Sequence, residues 1–179
     1  EATAENGKYH TTADVTVPYP VNPIHVDTCL ASLREYNGWG TYRQYKVTLQ
    51  DRPGEKNYYR LDIRNDITTY GQYDNYKDTI VYSRETEVIN REDVILTDGN
   101  PSNSEDDEDD FFGTYIENKY NVFTDGRFSG TTCTLKVYTK LYNHDNSGLY
   151  NVTRRSRSII VRLLSISEAE FRYLKALNT

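Results

Sequence analysis

The sequence predicts an all-β fold: an antiparallel β-sandwich or a partly open barrel carrying one C-terminal α-helix. Three observations predict it. Apolar and polar residues alternate with a period of two in several separate stretches, the pattern of a strand with one buried face. Clusters of turn formers, such as Asp51, Pro53 and Gly54, stand between those stretches. The period becomes helical only at the end of the chain, after Ser167.

Taken in order, residues 8–17 alternate, with Ala13, Val15 and Val17 on one face and Thr12, Asp14 and Thr16 on the other, which reads as a half-buried strand. Pro18, Pro20 and Pro23 then forbid regular pairing, so residues 17–23 read as a stiff connector and a domain boundary. Residues 42–49 oppose Tyr45, Val47 and Leu49 to Gln44, Lys46 and Thr48. After the turn at 51–54, residues 57–64 put Tyr59, Leu61 and Ile63 on one face. Strand, turn, strand predicts an antiparallel hairpin.

Weaker strand signals lie at 79–82 and 88–96, and residues 115–123 hold a short one. Residues 98–110 form a loop that ends in a block of like charge. Cys133, Leu135 and Val137 alternate with Thr134, Lys136 and Tyr138; residues 143–148 read as a hairpin loop and 158–164 as an apolar, β-branched strand. Ser167 and Glu170 have the spacing of a capping box, and Ile166 and Phe171 that of a hydrophobic staple. They predict a helix over 168–178, with Phe171, Leu174 and Leu177 facing the sheet.

Composition excludes several function classes. The 179 residues carry 21 basic and 27 acidic side chains, a net charge of −6, which argues against a nucleic-acid or anionic-membrane surface. Hydrophobic residues make up 36% and the mean hydropathy is −0.80, but 17 residues are Tyr, which serve as core body and wet rim at once. No apolar run approaches the length of a membrane-spanning helix. Three His and two Cys lie far apart, with no zinc-ligand spacing and no nucleophile elbow, so no catalytic residue, metal or cofactor is expected. The chain opens on Glu1 and contains no Met, which reads as a processed or trimmed chain.

The binding candidates are aromatic. Trp39 sits between Gly38 and Gly40, which remove the side chains that would cover it. Tyr70, Tyr73 and Tyr76 recur at a spacing of three in an otherwise polar segment. Aromatic faces of this kind stack on a flat, polar ligand such as a glycan. Asp98, Asn100 and Ser102 occupy the first, third and fifth places of a calcium loop, but Asn103 and Asp109 break the pattern at the sixth and twelfth, so a solvated loop is expected. Cys29 and Cys133 are a lone pair whose bridging the spacing leaves open. The basic group Arg154, Arg155 and Arg157 reads as an exposed strand face.

Three stretches carry a resemblance. Asp51, Pro53, Gly54, Asn57, Tyr58 and Tyr59 resemble an Asp-x-Pro-Gly-x-x-Asn-Tyr-Tyr signature. Phe123, Asp125, Phe128 and Gly130 resemble Phe-Ser-Asp-x-x-Phe-x-Gly. Leu163, Ile166, Ser167, Phe171, Tyr173 and Leu174 resemble Leu-x-x-Ile-Ser-x-x-x-Tyr-x-Tyr-Leu, with Phe171 in place of the first Tyr. In this order the chain resembles the Bacteroidetes outer-membrane lipoproteins known as domain of unknown function 4249, encoded near TonB-dependent receptors. The resemblance implies that residues 1–23 are the terminal strand of an N-terminal immunoglobulin-like domain plus its connector, and 24–179 a β-rich domain ending in a helix. It further implies a non-catalytic binding or accessory role beside a TonB-dependent transporter at the outer-membrane surface, through a lipid anchor outside this chain. A structural or adhesive β-module that contacts proteins is the alternative.

Overall fold

Alternating sequence becomes alternating burial. The computed structural model describes residues 2–4, 9–12, 16–21, 23–35, 38–73, 76–101, 118–141 and 150–178. Among these, the strands run β1 (Ala2–Ala4), β2 (Tyr9–Thr11), β3 (Pro23–Glu35), β4 (Gly38–Gln50), β5 (Tyr58–Tyr73), β6 (Tyr76–Glu85), β7 (Val122–Thr124), β8 (Thr132–Lys140) and β9 (Tyr150–Ser165). The helix α1 (Glu168–Ala176) closes the chain.

β1 and β2 pair with each other. β3, β4 and β8 form an antiparallel sheet with β4 in the middle. In the other sheet β5 is central. Tyr59 pairs with both Phe123 and Ser165, and Arg64 with both Glu85 and Ile160. β9 therefore takes one edge of β5, while β7 and β6 take successive stretches of the other. Tyr45, Val47 and Leu49 of β4, with Leu135 and Val137 of β8, meet Tyr59, Leu61 and Ile63 of β5 and Leu163 of β9 in one buried cluster. The core is the space between two sheets, and the sheets are not closed into a barrel. Sandwich is the outcome of the two architectures the sequence allowed.

The turn at 51–54 forms, with Gly54 at φ +94, but it does not make a hairpin. β4 and β5 belong to different sheets, so the turn carries the chain across the core. Both strands bury one face, and two strands with facing apolar stripes satisfy them as well across a sandwich as side by side. β8 and β9 are likewise split between the sheets, which removes the hairpin expected around 143–148, residues that themselves lie outside the described ones.

The 88–96 signal yields one bridge, Ile89 with Tyr138, followed by turns. Asp93 explains the difference: its buried carboxylate accepts from the main-chain N–H groups of Ile95 and Leu96 (2.9 Å each) and of Lys136 (2.6 Å). A side chain thus takes the place of a ladder along the open edge of β8. Burial pushes the Asp93 carboxyl up, against the pull of those donors. Beside it, Glu92 accepts from Lys136 Nζ (2.7 Å) and Tyr138 Oη (2.6 Å). Burial works against an ionised Glu92, yet those two donors hold it below its usual value.

Among the described residues of the 115–123 region, strand begins only at Val122, the start of β7, and residues 115–117 lie outside the described ones. Val17 is 85% exposed, not half-buried; residues 13–15 lie outside the described ones. The helix begins as expected, with Ser167 Oγ accepting from Glu170 N at 3.1 Å. Ile166 and Leu174 are buried with Val122, and Phe171 packs on them. Leu177 is 45% exposed because the helix ends at Ala176, one residue before it.

Candidate functional site

The three stretches that carry the family resemblance meet at one place. Asp51, 2% exposed, accepts from Tyr59 Oη (2.5 Å), Asn57 Nδ2 (3.3 Å) and Gly130 N (2.6 Å). Gly130 has φ +70, and a Cβ there would stand 3.1 Å from that of Pro53, so glycine suits both the backbone and the space. Tyr59 packs against Phe123 and Phe128, with ring centroids 5.3 and 6.4 Å away. Ile166 N donates to Tyr58 O (2.9 Å), and the ring of Tyr58 lies 5.1 Å from that of Phe171. Burial first, then the bond to Asp51, pushes the Tyr59 hydroxyl far up, so it stays a neutral donor. This is a structural knot: its polar groups are turned on each other.

Contact surfaces lie elsewhere. Gly38, at φ +130, turns the chain into β4, and Trp39 follows it. Trp39 pairs with Arg34, and Leu30 with Arg43. Directly opposed residues share a face, so Leu30 and Trp39 point to the same side of the β3–β4 pair. Farther along, that side carries Val26 and Val47 to the core. At this end nothing among the described residues covers it: Trp39 is 75% and Leu30 70% exposed.

Tyr70 lies on β5, in the other sheet from Trp39, with the Arg154 guanidinium of β9 5.7 Å from its ring centroid. The tyrosine segment is a strand hairpin, not a polar loop: Tyr70 pairs with Thr79 and Tyr73 with Tyr76. The side chains of Tyr73 and Tyr76 lie outside the described residues.

At the candidate calcium loop, the Asp98 carboxylate is engaged by Lys175 of α1, and its carbonyl accepts from Arg127 (2.8 Å). Ser102 and the acidic run 105–110 lie outside the described residues. Among the described residues no group of three or more His, Cys, Asp or Glu is placed to hold a metal. Cys29 is exposed and Cys133 buried, both free. They belong to strands on either side of β4, opposite Gln44 and Leu49. That separation, about 16 Å along the strand, rules out a bridge.

The polar concavity that sequence reasoning missed lies where β6 and β7 part on the edge of β5. Leu61 N donates to Asn121 O (3.1 Å) on one side, and Thr86 N to Ile63 O (2.8 Å) on the other. Between them opens a cavity of about 500 Å³, with Arg60, Asp62, Glu87, Lys119 and Tyr120 among its lining residues. Asp62 is 5% exposed. Its Oδ2 takes both Nε (2.5 Å) and Nη2 of Arg162, the residue opposite it on β9. The only trace in sequence is a carboxylate between Arg60 and Arg64 on the polar face of a strand, which reads as solvent-facing.

The model of the family described as "Domain of unknown function (DUF4249)" matches residues 1–179, so the chain belongs to that family. No curated protein and no solved structure matches it.

Proposed function

We propose that this member of the family is a non-catalytic binding domain of a lipid-anchored cell-envelope protein, assisting a TonB-dependent transporter at the outer-membrane surface. One observation carries the reading. Trp39 and Leu30 stand exposed on one face of a rigid strand pair, with Arg43 directly across from Leu30. Trp and Arg are the residues that most often anchor protein contacts, and an uncovered apolar pair is a cost in solution unless something docks on it. Mounting on strands keeps the ordering entropy of binding low.

The resemblance supports the compartment and the class of partner; the hairpin offers a surface for it. The test is capture of the transporter encoded beside the full-length protein, from detergent-solubilised membranes. Trp39→Ala and Leu30→Ala should each reduce capture while melting is unchanged. Equal capture by both variants would remove the hairpin from the reading.

An adhesive β-module is favoured by a different feature. β3 is an edge strand of 13 residues that pairs only with β4 among the described residues. Such an edge can accept a strand from another protein. Thr28→Pro, at a position whose N–H points away from β4, would block that mode and spare the Trp39 surface.

A further inference from the structure

We infer that β3 pairs with β3 of a second copy of this chain, antiparallel and centred on Leu30, so that one sheet runs through a twofold dimer. The direction of the backbone groups is the first support. Leu141 N donates to Thr41 O (3.0 Å), opposite it across β4 and β8. Thr41 and every second residue after it, Arg43 and Tyr45, are therefore the ones bonded to β8. The alternate residues Tyr42, Gln44 and Lys46 are bonded to β3, through Ala31, Cys29 and Asp27 opposite them. The N–H and C=O groups of Val26, Thr28, Leu30 and Ser32 point away from β4, to an edge that no strand among the described residues occupies.

Open edges are ordinarily guarded by charge, by proline or by a covering segment. The edge of β8 is covered by the Asp93 turn, and β9 carries Arg154, Arg155 and Arg157, which would repel a second copy of itself. β3 is guarded only toward its ends, by Pro23 with the register shift beside it and by Asp27 and Arg34. Residues 28–33 between them hold no charge, and Leu30 among them is 70% exposed. A copy of β3 matches this edge step by step. Its pairing with β4 is regular from His25 to Glu35, and the midpoint of that stretch is Leu30. About that midpoint Leu30 meets Leu30 of the second copy, Thr28 meets Ser32, and Val26 meets Arg34, so the outward groups of one strand face those of the other. Asp27 comes opposite Leu33 and Cys29 opposite Ala31, with no like charges opposed. Centring on Asp27 or on Ala31 would set Asp27 against itself or against Glu35, and centring on Thr28 or Cys29 pairs a shorter stretch. The exposed Leu30 of each copy is then covered by the other.

The inference rests on the edge-strand reading above and names its occupant. The experiment is sedimentation equilibrium of the purified chain from micromolar to millimolar concentration, with cross-linking by a short bismaleimide. In this register the two Cys29 side chains leave the same face of the joined sheet, one step to either side of the twofold. Cys29 is exposed while Cys133 is buried, so the reagent reads the β3 thiol. A reversible monomer–dimer equilibrium is expected, together with a covalent dimer joined through Cys29. Thr28→Pro removes an N–H that the β4 ladder does not use, and is expected to weaken dimerisation by about tenfold or more with melting of the monomer unchanged. Leu30→Lys sets two ammonium groups against each other at the twofold and should do the same; it decides if Thr28→Pro fails to fold. A chain that stays monomeric over the whole range overturns the inference, as does a dimer that survives both variants or is not joined through Cys29. Capture of a different protein that Thr28→Pro abolishes, by a chain that stays monomeric, also overturns it while leaving the edge-strand reading standing.

Discussion

Asn57 and Asp125 are 68 residues apart in sequence and hold each other by three hydrogen bonds. Asp125 Oδ2 accepts from the main-chain N–H of Asn57 (2.9 Å) and from its Nδ2 (3.2 Å), and Asn57 O accepts from Asp125 N (3.2 Å). The same Asn57 Nδ2 also reaches Arg52 O (3.0 Å) and Glu55 O (3.2 Å), which closes the crossing turn. One asparagine therefore fixes the turn that sends the chain from one sheet to the other and locks it to the short 3-10 turn after β7. The residues that carry the family resemblance here maintain the path of the backbone.

Asp125 is 2% exposed, so truncating it strands the main-chain N–H of Asn57 without water to replace it. Asp125→Ala is expected to lower stability by about 3 kcal/mol, the range for breaking a buried network. A shift in the urea midpoint at unchanged slope is the measurement. A loss below about 0.5 kcal/mol, the level of an ordinary surface change, would mean the knot is not what holds the crossing.

The helix start rests on one side chain. Ser167 Oγ caps Glu170 N at 3.1 Å while Ile166 and Leu174 anchor the first turns in the core. Ser167→Ala should cost about 1 kcal/mol, and Ser167→Asp should restore it, because aspartate caps equally well and favours the positive helix end. Equal melting of the serine and alanine forms would show that packing alone sets the helix start.

The thiols give a pH test. Burial first, then the nearby charges of Asp93 and Asp51, push the Cys133 thiol from 9.0 up to about 12. A raised folded value means the native state keeps its proton while the unfolded chain loses it. That stabilisation is complete below about pH 9 and fades as pH rises toward 12. The expected slope is a loss of up to about 1.4 kcal/mol per pH unit from this group. Cys133→Ala, although less stable throughout, should show a shallower decline. Under native conditions Cys29 should react with a thiol reagent at once and Cys133 only on unfolding, since the thiolate is the reactive form. A single reactive class of two would contradict the buried position.

Much of this fold was legible because strand periodicity reports burial directly. Tyr45, Val47 and Leu49, Tyr59, Leu61 and Ile63, and Leu135 and Val137 all face the core as their alternation requires. Pairing was not legible, because alternation records which face is buried and not which strand lies beside it. The turn at 51–54 therefore looked like a hairpin and proved a crossing. The strand signal at 88–96 failed for a related reason: Val88, Ile95 and Leu96 do face inward, but through turns nailed by the Asp93 carboxylate. The junction cavity had no sequence signature, since it arises from two strands sharing one edge of β5.

Trp39 is the sharpest discriminator between packing and contact. Its flanking glycines predicted exposure, and the ring is 75% exposed at the open end of the β3–β4 pair. A side chain so placed contributes little to folding, so Trp39→Ala should change stability by no more than about 0.5 kcal/mol. Its contribution to a partner contact should be larger, 2 kcal/mol or more if the ring fills a pocket on the transporter, which is a loss of about thirtyfold in affinity. Leu30 stands on the same face of the strand pair, so its effect should not simply add to that of Trp39. A double variant weaker by less than the sum would place both residues in one contact, and full additivity would place them in separate ones. If Trp39→Ala unfolds the chain instead, the ring is a packing residue and the hairpin surface loses its anchor.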